Sequence, residues 1–275
     1  MSTKNPKHTV RLAAIDLDGT LLGPDLTISP TNRRALESLA EEGIEVVLAS
    51  GRHYQSMHPF VESLPMVRWV ISAQGGELCS RDREEIVHRN FIHPGELQRI
   101  ARERECYGIS SVCYTAEGTI THMEMDSHIQ SYSDLEGLVP KQVSANALLG
   151  EDILKVIWIG ESSLIDQILL DHRAQAHESQ IVQTFSTMCE FMPHTTSKGA
   201  ALSQLSKRLG IDPGAAVVFG DGENDIPMFE WAGISYAMPH GWERARKKAT
   251  HTAPEGSRED ALARAIDDYR LRYRD

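Results

Sequence analysis

Val10-Arg11-Leu12-Ala13-Ala14-Ile15 reads as a buried strand that ends at Asp16, and the string Asp16-Leu17-Asp18-Gly19-Thr20-Leu21-Leu22 follows it directly. Two carboxylates therefore sit two residues apart just where a strand stops. In open α/β sheets, ligands bind beyond the carboxyl ends of the strands. The Asp-x-Asp spacing lets one carboxylate attack while its neighbour handles protons, and Gly19 permits the turn that brings them together. An acidic turn is the plain alternative, and Asp-x-Asp alone is common. A buried strand running into all seven residues is much less so.

Outward from this stretch, strands and helices alternate. Ser29 is an N-cap, Pro30 the first helical residue and Gly43 the stop, with Ala35, Leu36, Leu39 and Ala40 recurring at helical spacing. A strand over 44–49 ends at Ser50-Gly51-Arg52, and Trp69–Ser72 reads as a third. The rhythm resumes with a helix over 198–209, a strand over 215–220 ending at Asp221, a helix over 223–232, a strand over 234–237 and a closing helix over 258–273. Apolar strands joined by helices predict a parallel sheet covered by helices. The middle of the chain has another texture. Short strands over 110–114 and 119–123 flank Ala116-Glu117-Gly118, a hairpin signal. Strands over 153–159 and 181–185 enclose a helix over 163–176. This stretch reads as an α+β insertion between two halves of the parallel core.

Three further strings carry chemistry. In Leu48-Ala49-Ser50-Gly51-Arg52, a hydroxyl at a strand end followed by glycine offers an O–H and backbone N–H donors to a phosphoryl oxygen. Taken alone, it reads first as a strand-to-helix turn with a Ser cap, since Ser and Gly are routine turn residues. In Thr196-Ser197-Lys198-Gly199-Ala200-Ala201-Leu202, a lysine opens a helix, where the dipole disfavours it. That misplacement points to a carboxylate or phosphoryl partner, although a solvated lysine is the plain reading. In Gly220-Asp221-Gly222-Glu223-Asn224-Asp225-Ile226, acidic residues gather at another strand end. They repel one another unless a cation sits among them. Hard oxygen ligands beside a phosphate point to Mg2+.

In this order and architecture the four strings resemble the four motifs of the haloacid dehalogenase superfamily. The segment between the second and third resembles the cap of its Cof-type sugar-phosphate phosphatases. The resemblance implies a Rossmann-like parallel-sheet core with helices on both faces, formed by residues 1–83 and 188–275, and an inserted α+β cap over 84–187. It implies a Mg2+-dependent phosphatase acting on a small phosphorylated metabolite through an aspartyl phosphate. Asp16 is then the nucleophile and Asp18 the general acid and base. Ser50, Gly51, Lys198 and Asn224 surround the phosphoryl group. Asp16, Asp18 and Asp221 belong to the metal site, with Asp225 supporting it through water. Two strings depart from the pattern. Gln74-Gly75-Gly76 stands where an Asn-Gly pair is common, and Ala237-Met238-Pro239-His240-Gly241 lacks an asparagine often found there.

Composition bounds the alternatives. The 275 residues, 41% hydrophobic and 24% charged, suit a core domain with a smaller insertion. A net charge of −11 disfavours nucleic acid as a partner. No apolar run approaches the roughly 18 residues of a membrane span, which excludes a transport ATPase with a similar aspartate. Met1–Lys7 is polar, lacks a signal-peptide stretch and reads as a frayed tail. The four cysteines, Cys79, Cys106, Cys113 and Cys189, show no CxxC spacing and are expected as thiols of a cytoplasmic protein. A phosphomutase of the same fold is the alternative activity. A receiver-type module is about half this length, and a silent binding protein would have lost Asp16 or Asp18. The insertion is expected to select the leaving group while the core performs the chemistry.

Overall fold

A computed structural model gives the fold and describes residues 9–173 and 178–274. The expected frayed tail Met1–Lys7, and the end of the helix expected to reach Ala176, lie outside those residues.

The strands in chain order are β1 (Leu12–Asp16), β2 (Glu45–Ala49), β3 (Val67–Ser72), β4 (Glu77–Ser80), β5 (Ile86–Arg89), β6 (Ser110–Tyr114), β7 (Thr119–Thr121), β8 (Lys141–Gln142), β9 (Lys155–Ile159), β10 (Ser179–Phe185), β11 (Met188–Pro193), β12 (Ala216–Gly220), β13 (Ile234–Ala237) and β14 (His251–Thr252). They form two sheets. The first has the order β14-β13-β12-β1-β2-β3-β4-β5, parallel from β14 to β3 and antiparallel across β3–β4–β5. β1 lies at its centre between β12 and β2, so Asp16, Ser50 and Asp221 emerge from neighbouring strands along one edge.

Side-chain alternation divides the strands of this sheet between two cores. Ala13, Ile15 and Phe219 face the helices Pro30–Glu41, Tyr54–Ser63 and Ala261–Tyr273. Leu12, Ala14 and Val218 face Lys198–Leu209, Ile226–Trp231 and Glu243–Lys248. The parallel sheet with helices on both faces is thus the one the alternating pattern predicts. Ser29 caps the first helix through Asn32 N at 3.0 Å, with Pro30 at its first position. The expected 223–232 helix is instead a short 3-10 turn, Glu223–Asp225, followed by Ile226–Trp231. The break at Asp225 turns that carboxylate back onto its own loop.

The second sheet has the order β10-β11-β9-β6-β7-β8, antiparallel except for β7–β8. One face packs on the helices Pro94–Tyr107 and Ser162–Arg173. The other, with Val112, Tyr114, Ile157 and Ile159, packs on Ile129 and Tyr132 of Ser127–Glu136 and reaches Ala73 at the end of β3. Sheet membership corrects the limits expected at 84 and 187. β5 pairs with β4 in the first sheet, and β11 pairs with β9 in the second. The chain therefore crosses between sheets after Arg89 and after Pro193. Asn90 ties the two crossings together: its amide donates to the Thr195 and Thr196 hydroxyls, each at 2.8 Å.

Candidate active site

The residues singled out by the four strings line one edge of the first sheet. Asp16 closes β1 and is 3% exposed. Lys198, fully buried at the first turn of its helix, holds Asp16 Oδ1 at 2.5 Å and Asp225 Oδ1 at 2.6 Å. That pairing explains a lysine at a position the helix dipole disfavours. The other oxygen of Asp16, Oδ2, is buried and has no hydrogen-bond partner. Asp225 Oδ2 accepts from the backbone N–H groups of Asp221 and Gly222, both at 2.9 Å, and so shapes the loop that presents Asp221. Gly19 has φ +77°, and a β-carbon there would collide with the Asp221 carboxylate. Only glycine lets the first string lie against the fourth.

Three carboxylates converge here. Asp16, Asp221 and Asp225 each offer an oxygen within 4.8 Å of the others. Burial pushes the Asp16 carboxyl well above its usual range. The negative charges of Asp225 and Asp221 add to the rise, and Lys198 opposes it. Burial, then the Asp225 charge, raises Asp221 to about 7. Lys198 moves up as well, because the two carboxylates it touches outweigh the effect of its burial. A buried, anionic, oxygen-only cluster with an unpartnered oxygen is a poor place for nothing and a good one for a hard divalent cation. The residues present fit Mg2+.

Asp18, also expected at the metal, is not one of the three. Its carboxylate is gripped by Arg52, Nε to Oδ2 at 2.8 Å and NH2 to Oδ1 at 2.7 Å. Ser50 is buried at the end of β2, and its hydroxyl accepts from Arg52 N at 3.1 Å. The Gly51 carbonyl receives Lys155 Nζ, 2.7 Å away, from β9. Asn224 donates to Gln74 Oε1 at 3.1 Å, and Gln74 Nε2 donates to Glu190 at 3.2 Å. The longer amide at position 74 therefore spans from the fourth string to the second sheet. Ala73, Gln74 and Gly75 all have positive φ, which aims Gln74 back into the site. His240, the other departure, meets the Gly19 carbonyl through Nε2 at 2.7 Å and supports the first loop from behind.

Asp16, Asp18, Ser50, Arg52, Gln74, Asp221 and Asn224 line a cavity of about 300 Å3 between the two sheets. Its far wall holds Leu135, Glu136, Gln183, Thr184, Phe185 and Glu190, all from the inserted segment or its return strand. Sequence reasoning assigned no role to Arg52, Lys155, Glu136 or Glu190. A signal existed for two of them. Lys155 and Glu190 are charged residues inside otherwise apolar strands, which is rare unless they are paired. They are paired, at 2.8 Å. Nothing local marks Glu136.

Known proteins resemble this chain in sequence and in fold. The family model for haloacid dehalogenase-like hydrolases matches residues 13–266. The 5-amino-6-(5-phospho-D-ribitylamino)uracil phosphatase YcsE of Bacillus subtilis is 26% identical over 266 residues, covering 97% of this chain and 98% of that protein. The HMP-PP phosphatase of Escherichia fergusonii is 24% identical, covering 88% of each. A haloacid dehalogenase-like hydrolase from Bacteroides thetaiotaomicron superposes with a TM-score of 0.82 at 25% identity, over 94% of this chain and 99% of that one. With its four motif strings converged on one sheet edge and the match spanning nearly its whole length, this chain belongs to the haloacid dehalogenase-like hydrolases, as a phosphatase-type enzyme.

Proposed function

We propose that the protein hydrolyses phosphate monoesters of small polar metabolites, with Mg2+, through a phosphoaspartate on Asp16. The observation that carries this is the state of Asp16. One oxygen is fixed by Lys198, and the other is buried without a partner at the edge of the cavity. A carboxylate held this way is oriented for attack and has little else to do.

In the first half of the reaction, Asp16 attacks phosphorus in line. The phosphorus–oxygen ester bond breaks, and Asp18 passes a proton to the leaving oxygen. Lys198 and the Ser50 hydroxyl, with the backbone N–H groups around Gly51 and the Asn224 amide, hold the equatorial oxygens. In the second half, Asp18 takes a proton from water, which attacks the aspartyl phosphate, frees inorganic phosphate and restores the carboxylate. Asp16 and Asp221 would hold Mg2+. Asp225, whose oxygens already serve Lys198 and two backbone N–H groups, supports them from behind. The bound ion supplies positive charge to the phosphoryl oxygens as negative charge shifts among them. Residues from about 90 to 193 act as a cap that covers the cavity and keeps bulk water from the reacting phosphorus.

The relatives named for phosphatase activity on small phosphorylated compounds support this reading. Its test is phosphate release from a broad panel of phosphorylated metabolites, with and without Mg2+, combined with borodeuteride reduction of the acid-quenched enzyme, which converts an aspartyl phosphate to deuterium-labelled homoserine with loss of phosphate, read at position 16 by mass spectrometry. Turnover without label at Asp16 would remove the covalent step.

A further inference from the structure

The cavity divides into a floor that suits a phosphoryl group and a wall that faces whatever the phosphate is attached to. The wall contains Glu136, Gln183, Thr184, Phe185 and Glu190. Charge on it is one-sided. Among the described residues around the cavity, every cation is already engaged. Arg52 gives Nε and NH2 to Asp18, and NH1 to the Leu135 carbonyl at 3.2 Å. Lys155 lies behind the wall, 1% exposed, on Glu190 and the Gly51 carbonyl. Lys198 lies fully buried beneath the floor, between Asp16 and Asp225. Arg244 lines a neighbouring cavity and is 3.1 Å from Glu223.

Glu136 lies near Arg52 and Lys155 but is bonded to neither. Its Oε2 accepts from the Ser56 hydroxyl at 2.7 Å, and no ion pair is formed. Burial raises its carboxyl; the Ser56 hydrogen bond and then the charges of Arg52 and Lys155 oppose the rise, and Asp18 adds to it. The wall also carries a polar atom in want of a partner: Thr184 Oγ1 is buried and makes no hydrogen bond. Beside it stand the Gln183 amide and the half-exposed Phe185 ring. A leaving group in this space thus meets a hydroxyl, an amide, an aromatic face and a carboxylate that forms no direct ion pair, and the nearby cations, Arg52 and Lys155, are already bonded to other groups.

The geometry points to a substrate whose leaving group is uncharged or cationic, a polyol, an amino sugar or an amine-bearing ring, and to rejection of leaving groups that carry a second anion. Deepening the phosphatase reading above, and resting on it, this assigns Glu136 and Thr184 as specificity-determining residues. A second phosphate or carboxylate placed against Glu136 would be a like charge in a partly desolvated wall, which is the repulsive half of selectivity. An ammonium there would be paired, and hydroxyls would satisfy Thr184 and Gln183.

The test uses four probes with Mg2+: glucose phosphate, glucosamine phosphate, phosphogluconate and fructose bisphosphate. Each is measured as a substrate and as a competitor of para-nitrophenyl phosphate, so that a compound that binds without turning over is still ranked. The expected result is that glucosamine phosphate is handled at least as well as glucose phosphate. The two doubly anionic compounds should be weaker by at least about tenfold in kcat/KM or in inhibition constant. In Glu136→Gln this discrimination should narrow. Equal or better handling of the doubly anionic pair by the wild-type protein overturns the proposal, whatever the variant does. Failure to release phosphate from para-nitrophenyl phosphate is a different outcome, since it strikes the phosphatase reading. Calorimetric ranking of the same four probes then still decides whether the wall rejects a second anion.

Discussion

Arg52 holds both oxygens of Asp18 with two parallel hydrogen bonds, at 2.8 and 2.7 Å, while its remaining nitrogen reaches the Leu135 carbonyl of the inserted segment. A guanidinium fork on a carboxylate fixes direction as well as charge. Asp18 is 41% exposed on its side chain, so without the fork it would sample many orientations. The same arginine touches the unit proposed to close over the substrate. Closure and the aim of the proton-transferring carboxylate are thus joined in one side chain.

Arg52→Ala should therefore lower kcat for alkyl phosphates by about ten- to a hundredfold, part of the 10²–10⁴ that a positioned acid–base group contributes. Hydrolysis of para-nitrophenyl phosphate should fall less, because its leaving group needs little protonation. Arg52→Lys keeps the charge but loses the fork, and should rescue only partly. The ratio of alkyl to aryl rates is the informative measurement. An equal loss on both substrates would mean that Arg52 does something other than aim Asp18.

Asp16→Asn should abolish turnover and leave the fold in place. Asparagine nearly matches the side chain in shape, but its amide is a poor nucleophile. One negative charge also leaves a buried cluster in which Asp16 is pushed toward its protonated form by burial and by two neighbouring carboxylates. Lys198 keeps Asp225 at 2.6 Å. Thermal unfolding without metal should stay within a few degrees of wild type, a shift of about 1 kcal/mol or less for a chain of this size. Near wild-type phosphate release would rule out the phosphoaspartate.

Mg2+ affinity should rise with pH and level off above about pH 7. Burial lifts Asp221 to about 7 when no metal is bound, so it must lose a proton to become a ligand. The folded pKa is raised. The proton's contribution to metal-free stability is therefore fully present below the ordinary value of 3.8 and is lost as pH rises through about 7. Asp16 moves in the same direction. Added Mg2+ should accordingly stabilise the protein more at pH 8 than at pH 6, and binding should release protons, visible as a heat that depends on the buffer. Ca2+ should substitute badly in turnover, since it takes more ligands and tolerates irregular geometry. Binding heats that are the same in every buffer would contradict the linkage.

Lys155→Met should destabilise the protein by about 3–5 kcal/mol, the cost of stranding a buried charge. Lys155 and Glu190 are both nearly inaccessible, and each is the other's counterion at 2.8 Å. Pairing Lys155→Met with Glu190→Gln should recover much of the loss in denaturant unfolding, because no charge is then left alone. If the double variant is as weak as the single one, the damage lies in the lost bond to Gly51 or in packing against Tyr114.

The sequence by itself was enough to specify the core and its chemical edge. The relevant signals there are local. Apolar strands have period two, helices carry Ser29 and Ser197 as caps, and Asp16, Ser50 and Asp221 stand where strands must end. Chain order then puts those ends on one edge of a parallel sheet. Where the insertion begins and ends was not legible. β5 and β11 are ordinary short strands whose sheet is chosen by partners far away in sequence, and no local pattern encodes which partner wins. The lysine at the start of its helix was readable as misplaced, but its partners were not. Asp16 and Asp225 reach Lys198 only after 182 and 27 residues of chain have been folded between them. The grip of Arg52 on Asp18, the bridge from Gln74 to Asn224 and Glu190, and the carboxylate of Glu136 in the cavity wall belong to the same class. Each depends on how the second sheet sits over the first. That placement is settled by burial and pairing across the whole molecule, because charge and hydrogen bonding act through space and not along the chain.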